Sequence, residues 1–75
     1  MSKTITIDWQ KIILNLRHAG CTTKLIYTKA KMDESTVRRF ARGELKEPRF
    51  SQGLELLDLH ERFCPEKHKL EELKP

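Results

Sequence analysis

The sequence predicts an all-α domain of four or five helices. Three observations carry that reading. Apolar residues recur at helical spacing in four stretches of the chain. A short polar residue suited to capping stands ahead of each stretch: Asp8, Thr22 or Thr23, Asp33 and Ser51. Glycine or proline closes three of them, at Gly20, Gly43 and Pro65.

Residues 2–7 alternate polar and apolar, with Ile5 and Ile7 to one side, as in a short extended arm. Behind Asp8, the residues Trp9, Ile12, Ile13 and Leu16 fall at i, i+3, i+4 and i+7, which predicts a helix over 8–19. Leu25, Ile26 and Ala30 give a second apolar face over 23–30. A three-residue link leads to a third helix over 34–42, with Val37, Phe40 and Ala41 inward and Glu34 in the first turn, where the helix dipole favours an acid. Residues 43–50 read as loop, punctuated by Pro48. A fourth helix over 52–63 carries a wide band of Leu54, Leu56, Leu57, Leu59 and Phe63. The charged stretch after Pro65 is expected to fray.

Seventy-five residues with 37% hydrophobic and 35% charged side chains suffice for one modest core. Residues 1–64 form the expected domain and 65–75 a flexible tail. No apolar run approaches the roughly 18–20 residues of a membrane span, and no secretory leader is visible. Residues 1–50 hold 11 Lys and Arg against 5 Asp and Glu, or +6, whereas residues 51–75 hold 4 against 6, or −2. A basic region of this kind suits a polyanion. Cys21 and Cys64 are too few for a disulfide framework and are expected to be reduced apolar fillers. His60, Cys64 and His68 stand at intervals of four, but Pro65 breaks the helix between them and no Cys-x-x-Cys pair exists. No metal site, no cofactor and no enzymatic activity are expected. Trp9 is expected in the core, and Tyr27 to be partly packed.

The informative segment runs from Thr23 to Gly43. Two short helices joined by three residues, with Ile26, Met32, Val37 and Phe40 where crossed helices touch, follow the layout of a helix-turn-helix. Here TTKLIYTKAKMDESTVRRFARGE, followed by EPRFSQGLELLDLHER, resembles the phage repressor/Cro class of helix-turn-helix proteins, with the lambda-repressor-like fold. The resemblance covers roughly residues 8–63. Two positions depart from the family's pattern. Tyr27 stands where the family usually has alanine, and Lys31 where it usually has glycine in the turn. Lys31 is therefore expected to take a left-handed conformation at a cost of about 1 kcal/mol.

The resemblance implies base reading by Glu34, Ser35, Arg38 and Arg39, and phosphate contact by Thr22, Thr23, Lys24, Arg42, Lys46 and Arg49. The residue chemistry agrees. Arginine presents a planar fork to guanine, and glutamate accepts from cytosine N4. Short hydroxyls and free N–H groups suit phosphate oxygens. The expected protein is a Cro-like repressor in the cytoplasm of a bacterial host cell, binding double-stranded DNA as a homodimer on a pseudo-palindromic operator. The wide leucine band of the fourth helix is read either as the dimer surface, the preferred reading, or as the mark of a helix buried on two sides by the first and third helices. The alternative is a protein-interaction module on the same scaffold, such as an antirepressor or an inhibitor of host RNA polymerase.

Overall fold

A computed structural model describes residues 7–69 and Leu73. Four α-helices follow one another: α1 (Trp9–His18), α2 (Thr23–Ala30), α3 (Glu34–Ala41) and α4 (Phe50–Phe63). A single 3₁₀ turn, Pro65–Lys67, ends the run, and there is no strand among the described residues. Of the expected arm, Ile5 lies outside the described residues, while Ile7 is half-buried against the core.

Local chemistry sets the helix ends. The Asp8 carboxylate accepts from the Lys11 N–H, and the Thr22 hydroxyl accepts from the Leu25 N–H. Asp33 occupies the corresponding position ahead of α3 without a side-chain cap bond. The start of α4 differs from expectation. It begins at Phe50, not after Ser51, because the Gln52 side chain reaches back to accept from the Arg49 N–H at 3.2 Å. Ser51 thus lies within the first turn.

Lys31 adopts the expected left-handed conformation, with φ 57° and ψ 50°. This turns the Met32 N–H back onto the Tyr27 carbonyl at 3.0 Å and lets the chain reverse into α3. Replacing Lys31 with glycine removes the Cβ penalty. The expected gain is about 0.5–1 kcal/mol, or a rise of a few degrees in a thermal melt. An unchanged or lower midpoint would mean that the lysine costs nothing there.

The core draws on every helix. Ile12, Ile13 and Leu16 come from α1, Ile26 and Ala30 from α2, Val37 and Phe40 from α3, and Leu56 and Leu59 from α4, with Cys21 and Met32 from the turns. Both α1 and α2 pack against α3 and α4. Each buried Val, Leu, Ile, Phe or Met side chain gains roughly 1.5–3 kcal/mol on burial. Tyr27 and Trp9 pack partly against this core. Leu25, expected inside, is exposed. A two-turn helix buries only a narrow stripe, and Ile26 and Ala30, one turn apart, already fill it.

The wide band of α4 divides in the same way: Leu56 and Leu59 are buried, Leu57 is half-buried, and Leu54 and Phe63 face solvent. The tail is less free than expected at one point. Leu73 packs on the core, and its carbonyl accepts from the Asp8 N–H at 2.8 Å. Leu70 lies outside the described residues.

His60 is 0% exposed, a burial that the sequence did not reveal. The Asn15 amide donates to its Nε2 at 3.3 Å, which leaves the proton on Nδ1. That N–H then donates to Nδ1 of His68 at 3.0 Å. Asn15 is held in turn, since its carbonyl accepts from the Cys64 thiol at 3.4 Å. No group of three or more His, Cys, Asp or Glu that could hold a metal ion occurs among the described residues.

Burial first, then the charges of His68, Lys67 and Lys11, push His60 down to about 4. An imidazole whose folded pKa lies below its unfolded value stabilises the fold fully above about pH 6.5. That contribution drains away as pH falls toward 4. The expected loss is about 3 kcal/mol at pH 4, enough to approach the whole stability of a small domain. Urea midpoints at pH 7 and pH 4.5 test this, with His60→Gln as the variant expected to flatten the profile.

Both cysteines are free and buried. Burial pushes the Cys21 thiol up, and the charge of Cys64 adds to it. Burial also raises Cys64, against a smaller pull from Lys67.

Candidate nucleic-acid interface

At about 100° per residue, Glu34, Ser35, Arg38, Arg39 and Arg42 fall within an arc of about 140° on α3 and its last turn. All five are exposed, while Val37 and Phe40 on the other side are buried. The helix is thus anchored by its apolar stripe and open along its arginine stripe. The Gln10 amide donates to the Ala41 carbonyl at 3.1 Å and ties the end of α3 to α1.

The arginines are not bare. Arg38, 65% exposed, pairs with Glu34 one turn back at 2.6 Å. Glu44 takes two partners, Arg39 Nε at 3.5 Å and Arg42 Nε at 2.7 Å. The backbone explains why Glu44 lies there. Gly43, at φ 78°, donates to the Phe40 carbonyl at 3.0 Å, and Glu44 donates to the Arg39 carbonyl at 2.9 Å. This is a Schellman ending, which folds the residue after the glycine back over the last turn. A side chain at position 43 would be strained by the positive φ and would crowd Gln10 at 3.2 Å. Sequence reading found Gly43 but missed Glu44, although the position after a terminal glycine was the available signal.

These exposed pairs contribute about 0.3–0.5 kcal/mol each. A guanine or phosphate that takes an arginine away from its carboxylate can repay that, since a good bidentate base contact yields about 1–3 kcal/mol.

The residues assigned to phosphate are more scattered. Thr22 and Lys24 are exposed and Thr23 half-buried at the start of α2, where the Thr22 hydroxyl already caps Leu25 and keeps its own proton to donate. Lys46 lines a shallow depression with Gly43, Leu45 and Gln10. Arg49 borders a different feature, an open apolar groove of about 540 Å³ between Trp9, Pro48, Phe50 and Leu54. Lys24, Lys46 and Arg49 make no ion pair among the described residues.

Phe50 was not singled out from sequence, because the loop was expected to run through it. It stands 83% exposed at the start of α4. No family model, no curated protein and no solved structure matches this chain.

Proposed function

We propose that this chain is a sequence-specific DNA-binding transcriptional regulator of the Cro-like repressor type, acting as a homodimer on a pseudo-palindromic operator. The single observation that carries the reading is the division of α3. Its inner stripe is committed to the core, and its outer stripe offers three exposed arginines. A helix held from behind and cationic in front suits insertion into a major groove.

In this reading Arg38 and Arg39 face guanine edges, and Glu34 and Ser35 at the start of α3 read neighbouring bases. Arg42, Lys46, Thr22, Thr23 and Lys24 meet phosphate and fix the register. Two copies related by a twofold axis place their α3 helices about 34 Å apart, one turn of duplex. Occupancy of the operator excludes polymerase, with no chemistry and no cofactor required.

Fluorescence titration against a panel of labelled duplexes at several salt concentrations tests the proposal. The expected result is a clear preference among duplexes. The log–log salt slope should steepen by about 0.9 for each phosphate neutralised. Equal affinity for all duplexes at moderate ionic strength, or no binding, would overturn it.

A further inference from the structure

The groove beside Arg49 is lined by no residue of α3. Phe50 is 83% exposed, and Leu54, one turn further along α4, is 52% exposed. Beside them the surface is concave, lined by Ile7, Trp9, Pro48 and Leu57. Gly53 explains the floor. A Cβ there would meet the Trp9 ring at 3.2 Å and Pro48 at 3.4 Å, so the indole lies against bare helix backbone. Phe50 and Leu54 lie outside the core cluster, which Leu56 and Leu59 on the next faces of α4 join.

We propose that this patch is the twofold interface of a homodimer, with Phe50 of each copy seated in the groove of the other. This rests on the dimer half of the function proposed above and is independent of the α3 contacts to DNA.

Two features point to a second copy as the occupant. A twofold interface requires one patch to complement itself, and here a projecting ring and a hollow of apolar lining lie side by side. The rim is complementary to itself in charge as well. Glu47 and Arg49 are exposed, opposite in sign, two residues apart, and without an ion pair among the described residues. A twofold axis between the copies brings the acid of each toward the base of the other. An acid on the rim is also out of place against a phosphate backbone or an anionic membrane.

Analytical ultracentrifugation of the full chain without DNA gives the test, with emission from Trp9, the single tryptophan, followed on dilution. The wild type should dimerise and its Trp9 emission should shift as the dimer dissociates. Phe50→Asp and Leu54→Lys should each weaken dimerisation by about 30-fold or more, as expected for a central anchor. Both residues are exposed, so the circular dichroism spectrum should hold, and the melting midpoint should fall only by the concentration-dependent stability that dimerisation lends. Glu47→Arg and Arg49→Glu should each weaken the dimer several-fold, and the double reversal should recover most of the loss.

A wild type that stays monomeric at all concentrations overturns the proposal and leaves the groove to a different partner. A dimer indifferent to Phe50→Asp and Leu54→Lys overturns this surface while keeping the dimer. Loss of dimerisation in these variants supports the proposal even if no duplex is bound, which would instead count against the DNA reading.

Discussion

Replacing Arg38 and Arg39 together with alanine is expected to weaken binding to the preferred duplex by about 2–6 kcal/mol and to erase most of its base preference. Each arginine supplies up to about 1–3 kcal/mol of discrimination when its fork meets a guanine edge. Against this stands only the cost of leaving a solvated carboxylate, Glu34 at 2.6 Å or Glu44 at 3.5 Å. That cost is a few tenths of a kcal/mol and does not reverse the balance. Both side chains point outward, so the double variant should melt within about 0.5 kcal/mol of wild type for each substitution. Glu44→Gln in the same titration should move affinity the opposite way, because it releases Arg39 and Arg42 from their shared acid. Unchanged affinity and unchanged base preference in the double variant would show that α3 does not read the duplex.

Phe40→Ala, one position further along the same helix, is expected to unfold the domain. Phe40 is 1% exposed and lies in the cluster that joins all four helices. Truncating a buried phenylalanine costs about 3–5 kcal/mol, from lost transfer energy and from the cavity left behind. A core of this size rarely supplies more than about 3–5 kcal/mol of net stability. The variant should therefore lose its cooperative melt at 25 °C, while Arg39→Ala keeps it. Circular dichroism melts of the two single variants side by side give the check. A Phe40→Ala protein melting within a few degrees of wild type would mean that the four helices do not share one core.

What could be read from sequence was local. Asp8 and Thr22 cap the next turn of chain, and spacing alone predicts the inward positions of Ile12, Ile13, Leu16, Val37 and Phe40. The left-handed Lys31 was legible too, but only through the resemblance, whose pattern usually has glycine at that turn position.

The features that escaped depend on residues far apart or on side chains answering backbone. His60 is buried because Asn15, 45 positions away, offers it an amide. Nothing near His60 in the chain carries that information. The start of α4 was misplaced because a glutamine, three residues in, does the capping. In the leucine band of α4, composition shows the excess of apolar surface but not which part the domain uses for itself. Only the packing of α1 and α2 on α4 separates Leu56 and Leu59 from Leu54 and Phe50. The α3 face was legible as a set of residues. Its electrostatic state, with every arginine already paired, was not.

The two buried thiols give the molecule a clock of its own. An alkylating reagent needs an accessible thiolate, and burial denies Cys21 and Cys64 both conditions at once. Iodoacetamide should therefore modify each sulfur only when the chain around it swings open. The two rates then report openings at the bend between α1 and α2 and at the far end of α4.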